Sequence, residues 1–142
     1  MSCVQARNEF LREEFAGVKI PREETPRVGV AVIVVRNGKI LVGKRRAGHG
    51  AGSWQFPGGK LEFGETLGNC ALRELLEETG LAASNPRIAA VTNDFFEEGL
   101  HYVTVFVRVD CEKGEPVEKE PEKSGAWQWF LWKEIPSPKF LP

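Results

Sequence analysis

Residues 59–81 read GKLEFGETLGNCALRELLEETGL, and this stretch decides the fold and indicates the chemistry. A glycine-rich turn leads into a helix predicted over Leu67–Thr79. Thr66 is a favourable N-cap, and Gly80 is a favourable C-terminal stop. The apolar face of the predicted helix consists of Leu67, Ala71, Leu72, Leu75 and Leu76.

Three carboxylates lie on one face of this predicted helix. Glu74, Glu77 and Glu78 occupy positions i, i+3 and i+4, which are neighbours on a helix surface. These carboxylates repel each other unless a cation lies among them, and oxygen-rich clusters suit hard divalent ions such as Mg2+ or Mn2+. Most glutamate-rich helix faces are only solvated surface, so the cluster alone indicates a candidate metal site. A metal of this kind implies a partner that carries phosphate.

The composition narrows the classes of function. The chain has 142 residues, of which 42% are hydrophobic and 27% charged, and these values suit one globular domain with a single core. A net charge of −1 excludes a broad basic surface for nucleic acid or an anionic membrane. Cys3, Cys70 and Cys111 form no Cys-x-x-Cys pair, which favours free thiols in a reducing cytoplasm. The first residues resemble neither a signal peptide nor a membrane anchor.

The chain is predicted to contain an N-terminal extension, residues 1–26, followed by one folded domain, residues 27–142. The extension contains an apolar stripe that predicts a short helix docked on the domain, formed by Phe10, Leu11, Phe15 and Val18. Pro21 and Pro26 then interrupt any regular element.

Strands are predicted on both sides of the helix. Arg27–Arg46 has the pattern of a β-hairpin, because β-branched runs flank the turn Asn37-Gly38. Pro57-Gly58-Gly59 predicts an irregular turn, residues 110–124 predict a surface loop, and no long helix is expected after Lys133. The further predicted strands are Trp54–Phe56, Arg87–Phe96, Tyr102–Val109 and Trp127–Trp132.

The helix and its flanks together carry a family resemblance. The pattern G-x5-E-x7-R-E-U-x-E-E-x-G-U, where U is a bulky aliphatic residue, is matched at nine of nine specified positions: Gly59, Glu65, Arg73, Glu74, Leu75, Glu77, Glu78, Gly80 and Leu81. The chain therefore resembles a Nudix hydrolase, a family that uses divalent cations to cleave a nucleoside diphosphate linked to another group. The resemblance implies an α+β fold of the α/β/α sandwich type. In that fold a mixed β-sheet lies between helices, and the matched segment forms a loop–helix–loop.

The resemblance also implies roles for individual residues. Arg73 and Glu65 match the pair that orients the catalytic helix. Glu77 or Glu78 is expected to be the general base, with an acid of the 118–122 loop as the alternative. The expected metal ligands are the backbone carbonyl of Gly58 and the side chains of Glu74, Glu77, Glu78 and Glu122.

Three stretches resemble the MutT-like branch, which converts nucleoside triphosphates such as 8-oxo-dGTP to a monophosphate and pyrophosphate. They are GKRRAGHGAGSWQFPGGKLEFGE at 43–65, HYVTVFV at 101–107 and EPEKSGAWQW at 120–129. Lys60 stands where relatives often have histidine, and it either binds phosphate as a point charge or faces solvent. The expected substrate contacts are Arg45, Gly58, Gly59, Lys60, Phe95, His101, Glu122 and Trp127.

Two alternatives stay open at this stage. One is another Nudix activity, such as an ADP-ribose pyrophosphatase, although the proline typical of that branch is absent from Phe95–Glu98. The other is a nucleotide-binding domain without catalysis, which would normally lack some of the glutamates present here. The expected partners are a small nucleotide and a second copy in a homodimer, without nucleic acid or membrane.

Overall fold

A seven-stranded mixed sheet organises the residues that the computed structural model describes, which are 25–96 and 99–140. The helix predicted in the N-terminal extension lies outside these residues. One α-helix, α1 (Leu67–Thr79), and one 3₁₀ turn (Trp132–Glu134) accompany the sheet in the described part. The strands are β1 (Arg27–Arg36), β2 (Lys39–Arg45), β3 (Trp54–Gln55), β4 (Gly58–Lys60), β5 (Ser84–Phe95), β6 (His101–Asp110) and β7 (Ser124–Phe130).

Strand β1 lies at the middle of the sheet. The strand order is β3-β2-β1-β6-β5, with β4 paired to β1 and β7 paired to β2. β1 runs parallel to β6 and antiparallel to β2 and β4, so the sheet is mixed. This arrangement confirms the predicted α+β class with a mixed sheet and a loop–helix–loop between β4 and β5.

The predicted hairpin between β1 and β2 is confirmed. Val35 pairs with Ile40, and Arg36 pairs with Lys39. Between them Asn37 and Gly38 have φ angles of 49° and 74°. Two consecutive positive φ angles are what a two-residue hairpin turn requires.

Strand β4 replaces the irregular turn predicted at Pro57-Gly58-Gly59. Gly58 to Lys60 pair antiparallel with Ala31 to Gly29. A Cβ on Gly58 would lie 2.1 Å from the carbonyl oxygen of Val30, so only glycine permits this approach to β1. The boundaries of two other strands also differ, because β5 and β7 begin three residues earlier than predicted.

The hydrophobic core lies between α1 and one face of the sheet. Alternate residues of β1 and β6 supply its sheet side, as the two-residue period of a strand requires. Leu76, predicted on the apolar face of α1, is 49% exposed, whereas Glu78 and Thr79 are buried. The core side chains include Val30, Val32, Val34, Leu41, Cys70, Ala71, Leu75, Val105, Val107, Val109 and Trp127.

The cysteines of the described part are buried and free. Cys70 and Cys111 form no disulfide, which confirms the predicted free thiols at these two positions, while Cys3 lies outside the described residues. Burial raises the pKa of the Cys70 thiol to about 12, and Glu65 adds to this shift. Cys70 is therefore a packing residue. Among the described helices, none is both long enough and apolar enough to cross a membrane.

Substitution of Gly43 tests the packing between β2 and β7. A Cβ on Gly43 would lie 2.4 Å from the ring of buried Trp127. We expect Gly43→Ala to lower the free energy of unfolding by about 1–3 kcal/mol, because the core must accommodate an extra methyl group. Urea denaturation measures this change.

The control is Gly29→Ala. Its added Cβ would have its nearest contact at 3.7 Å, from Thr104, which is an ordinary separation. Equal stability of the two variants would contradict the packing argument.

Candidate active site

Helix α1 begins and ends at the predicted residues. The Thr66 hydroxyl accepts a hydrogen bond from the Asn69 N–H at 3.1 Å. Gly80 has a φ of 73°, and its N–H donates to the Leu76 carbonyl at 2.9 Å. These caps satisfy backbone groups that a helix end otherwise leaves unpaired.

Arg73 fastens the loop before α1 to the helix. Its guanidinium forms a bidentate pair with Glu65, at 2.7 Å (Nε–Oε1) and 3.0 Å (Nη2–Oε2). Nη1 also donates to Glu74 at 2.9 Å and to Glu77 at 3.2 Å, and Nη2 donates to the Lys60 carbonyl at 3.2 Å. This pairing lowers the pKa of Glu65 to about 2. One side chain thus joins three carboxylates and the end of β4.

Glu78 and Glu74 are carboxylates in a desolvated setting. Glu78 is 8% exposed, and burial raises its pKa to about 8, with the charges of Glu74 and Glu120 adding to the shift. The Gly58 N–H lies 3.4 Å from Oε2 of Glu78, and this contact partly offsets the upward shift of the Glu78 pKa. Burial also raises the pKa of Glu74, against the opposing effect of Arg73. Both groups would be stabilised as anions by a nearby cation.

The backbone of β4 lies directly against these carboxylates. A Cβ on Gly59 would be 2.3 Å from Oε1 of Glu74, so a larger residue there would displace this carboxylate. Within residues 25–96 and 99–140, no three histidine, cysteine, aspartate or glutamate side chains already converge as a metal site. Arg73 instead draws Glu74 and Glu77 towards itself. The donors present are nevertheless all oxygen, anionic and partly buried, and this chemistry fits a hard divalent cation.

These residues line one end of a cavity of about 660 Å³. Its walls come from the glycine-rich loop after β2, from β4, from α1, from the start of β6 and from residues near 120 and 140. The sequence-predicted residues that line it are Arg45, Gly58, Gly59, Lys60, Arg73, Glu74, Glu77 and Glu78. Glu65, which is not among the lining residues, contacts them through Arg73.

Arg45 lies on the cavity wall and is partly desolvated. Its Nη1 donates to Oε1 of Gln55 at 2.8 Å, its Nε donates to the His49 carbonyl, and its guanidinium lies 4.5 Å from the ring centroid of Phe140. Burial lowers its pKa, while the charges of Tyr102 and Glu78 oppose that shift. A partly buried guanidinium of this kind can bind an anion such as phosphate.

Aromatic side chains form another part of the cavity wall. The His49 and Phe96 rings are 4.5 Å apart, and the Phe96 ring lies 6.2 Å from those of Phe140 and Tyr102. Sequence reasoning missed Phe140 altogether, because no local pattern marks it. The Phe140 N–H donates to the Trp54 carbonyl, and the Trp54 N–H donates to the Pro138 carbonyl. These two hydrogen bonds hold the C-terminal segment beside β3.

Phe95 and His101, predicted to contact substrate, are not among the residues that line the cavity. Phe95 is 74% exposed, and its ring stacks on His101 at 4.2 Å. Their neighbours Phe96 and Tyr102 line the cavity instead. The contacts of Phe95 and His101 with substrate stay predictions. His101 and Tyr102 differ in this respect because neighbouring side chains of a strand point to opposite faces.

Trp127 and Glu122, also predicted contacts, likewise do not line the cavity. Trp127 is 8% exposed and belongs to the core, where it packs over Gly43. Glu122 is exposed, and Glu120 is the glutamate of this loop that lines the cavity. Glu120 also accepts a hydrogen bond from Lys123 at 2.6 Å.

Comparison with known proteins agrees with this geometry. The sequence pattern that defines the NUDIX domain matches residues 25–142. The chain belongs to the NUDIX family. Residues 59–81 are therefore its NUDIX box, and the box contains the glutamates and Arg73 of the cavity.

Relatives place the chain near the MutT-like enzymes of the NUDIX family. A Danio rerio protein named oxidized purine nucleoside triphosphate hydrolase is 39% identical over 79% of this chain and 70% of its own length. The Mus musculus protein of that name is 34% identical over 83% of this chain and 74% of its own. The crystal structure of a MutT NUDIX hydrolase from Burkholderia pseudomallei has a TM-score of 0.77 and 33% identity, covering 82% and 91% of the two chains.

The raised pKa of Glu78 predicts an unusual dependence of stability on pH in the metal-free protein. The unfolded carboxyl ionises near its usual 4.5, whereas the folded one ionises near 8. The folded state therefore loses stability as the pH rises between these values. At pH 8 we expect Glu78→Gln to raise the melting temperature by roughly 3 °C or more, because it removes this loss.

Thermal unfolding in EDTA at pH 5 and pH 8 measures this effect. Glu77→Gln is the matched control, because the Glu77 side chain is 51% exposed. A Glu78→Gln variant that melts with the wild type at both pH values would contradict the desolvation of Glu78.

Proposed function

We propose that this chain hydrolyses nucleoside triphosphates, with oxidised purine nucleoside triphosphates as its preferred class, to a nucleoside monophosphate and pyrophosphate. The observation that carries the proposal is one cavity with two chemically different parts. Buried carboxylates meet the glycine backbone of β4 in one part, and a desolvated arginine lies beside aromatic rings in the other. A nucleoside triphosphate also has two parts: a polyphosphate that suits a metal-binding end, and a base that suits an aromatic wall.

The relatives support the choice of substrate class. Two of them carry the name oxidized purine nucleoside triphosphate hydrolase at 39% and 34% identity. Each aligns over more than two thirds of both chains, so the similarity extends well beyond the 23 residues of the NUDIX box. The cytoplasmic location and the homodimer stay predictions of the sequence.

We assign the metal position to the carboxylates of the NUDIX box. Glu74, Glu77 and Glu78 with the Gly58 carbonyl would hold Mg2+ or Mn2+, and Glu120 lies within electrostatic reach of this set. A cation bound there would neutralise charge on the phosphate oxygens and lower the pKa of a water molecule. Arg73 orients these carboxylates through its hydrogen bonds to Glu65 and Glu74.

Glu78 is our choice for the general base. Its carboxylate is buried beside the Gly58 N–H, and a cation held by the neighbouring glutamates would keep it ionised and able to take a proton. Glu77 is less suited, because its carboxylate is bonded to Arg73 at 3.2 Å. In the reaction, water oxygen bonds to phosphorus, the bridging P–O bond breaks, the water proton passes to the carboxylate, and pyrophosphate leaves with the bond electrons.

The remaining cavity residues would bind the rest of the substrate. Arg45 is suited to a phosphate, because its guanidinium is desolvated and faces the cavity. Phe96, Tyr102 and Phe140 offer faces on which a base can stack. Lys60 lines the cavity but is exposed, which suits a terminal phosphate near solvent.

Strand β5 supplies acceptors for the edge of the base. Thr92 pairs with Thr104 and Asp94 pairs with Tyr102, so these side chains share the sheet face of two cavity residues. Oγ1 of Thr92 and Oδ2 of Asp94 are buried and have no hydrogen-bond partner among the described residues, and they lie next to the cavity lining without being part of it. Unpaired buried acceptors are costly and are typical of functional sites. We assign Asp94 to accept an N–H of an oxidised purine.

A nucleotide panel tests the substrate class. We expect 8-oxo-dGTP to exceed dGTP and ADP-ribose in kcat/KM by at least about tenfold, since a paired base N–H contributes on the order of 1.4 kcal/mol. In Asp94→Ala that preference over dGTP should shrink, because the acceptor is lost. Pyrophosphate release and nucleotide chromatography measure both quantities. Preference for ADP-ribose would refute the proposal.

The role of Glu78 is tested by turnover. We expect Glu78→Gln to lower kcat by about a hundredfold or more while the protein stays folded, because the variant loses both a metal ligand and the base. Glu112→Gln, which removes an exposed carboxylate outside the cavity, is the control and should behave as wild type. Near wild-type kcat in folded Glu78→Gln would exclude this mechanism.

A further inference from the structure

The segment from residue 117 to residue 126, here named the Glu120 loop, brings a carboxylate from outside residues 58–78 to the cavity. Glu120, Lys123 and Ser124 all line it. The backbone N–H groups of Lys123 and Ser124 donate to the Glu120 carbonyl at 2.9 and 3.1 Å, and Lys123 Nζ binds its carboxylate at 2.6 Å. The loop thus forms a tight turn that presents Glu120.

One side of the Glu120 loop is attached to the end of α1. The Val117 N–H donates to the Thr79 carbonyl at 2.9 Å, and the Lys119 N–H donates to the Glu78 carbonyl at 3.3 Å. The loop is therefore bonded to the backbone of Glu78, the same residue whose side chain lines the acidic end of the cavity.

Arg46 attaches the other side. Its guanidinium forms a bidentate pair with Glu118, with N–O distances of 2.8 and 2.9 Å, and Nη1 also donates to the Pro121 carbonyl at 2.9 Å. The Arg46 backbone N–H donates to the Lys123 carbonyl at 2.8 Å. Arg46 thus contacts the loop both before and after Glu120.

Glu118 and Gly125 complete this set of contacts. Oε1 of Glu118 accepts the N–H of Ala126 at 2.7 Å, and Ala126 has a φ of 53°, which is uncommon for a residue other than glycine. A Cβ on Gly125 would lie 2.5 Å from Arg46 Nη1, so a larger residue there would displace the guanidinium from its present position. The loop conformation and the ion pair therefore depend on each other.

Stability alone does not account for these contacts. The Arg46 and Glu118 side chains are 38% and 40% exposed, and exposed ion pairs contribute only about 0.2–1 kcal/mol. Bidentate geometry does, however, restrict direction and distance more than a single contact does. The Arg46–Glu118 pair therefore fixes the position of the loop more than it adds to the free energy of unfolding.

We propose that Arg46 and Glu118 form a positioning clamp that holds the Glu120 loop in register with Glu74 and Glu78. The proposal rests on the proposed function, because it assigns these two residues an effect on turnover at the same cavity. Neither residue touches the reacting atoms. They are positioning residues that act through Glu120.

The test compares Arg46→Ala with a matched control. Arg87→Ala removes an equally bidentate and exposed pair with Asp110, at 3.0 and 3.2 Å, whose residues do not line the cavity. Both variants should melt within about 3 °C of wild type. Only Arg46→Ala should speed hydrogen exchange at the amides of Lys123, Ser124 and Ala126, by about tenfold or more, because only it frees the loop.

Turnover is measured on the same proteins with 8-oxo-dGTP. We expect Arg46→Ala and Glu118→Gln to lower kcat about tenfold while KM changes less than about threefold, because positioning acts on the transition state. Arg46→Lys should not recover kcat, since one ammonium cannot bridge two carboxylate oxygens and the Pro121 carbonyl.

Each outcome decides between the alternatives. Unchanged exchange in Arg46→Ala overturns the clamp, and so does faster exchange with kcat within twofold of wild type. If wild type cleaves no nucleoside triphosphate, the proposed function fails separately. Mn2+ affinity, measured by titration, then replaces kcat, and a dissociation constant unchanged in Arg46→Ala overturns the clamp while one at least threefold higher supports it.

Discussion

The Arg73 guanidinium is the constraint on which the site depends. Glutamates crowded on one helix face repel each other, and Arg73 offsets this repulsion by bonding Glu65, Glu74 and Glu77 at once. Because Glu65 precedes the helix, the same contacts set the direction in which α1 leaves its loop. Glu74 is thereby held against β4, whereas no arginine of the described residues pairs with the buried Glu78. Of the three glutamates on the helix, Glu78 is thus the one whose negative charge is least compensated.

The helix face that makes the core also buries the reactive group. Ala71, Leu75 and Glu78 follow one another at intervals of four and three residues, so packing two of them against the sheet draws the third inward. Removal of the Glu78 charge is expected to stabilise the metal-free fold and to abolish turnover. At this residue the charge needed for the proposed chemistry lowers the stability of the fold. Burial of the apolar side chains on the same helix face offsets that cost.

Local signals were sufficient for some elements and insufficient for others. The bounds of α1 follow from Thr66 and Gly80, and the first turn follows from Asn37-Gly38, because each signal acts within a few residues. Strand β4 could not be predicted, since it exists only through pairing with a distant strand. The face occupied by Phe95 was equally undetermined: a second phenylalanine, Phe96, follows it directly, and the local sequence does not tell which of the two rings points inward.

The cavity combines segments of very different origin along the chain. Most of its acidic end comes from one continuous stretch, residues 58–78, to which the distant loop adds Glu120, whereas its aromatic wall is assembled from His49, Phe96, Tyr102 and Phe140. Substitutions in that wall leave the bonds among Arg73 and the glutamates untouched. Substrate range can therefore diverge in evolution one aromatic contact at a time, while the hydrolytic centre is inherited as an indivisible block.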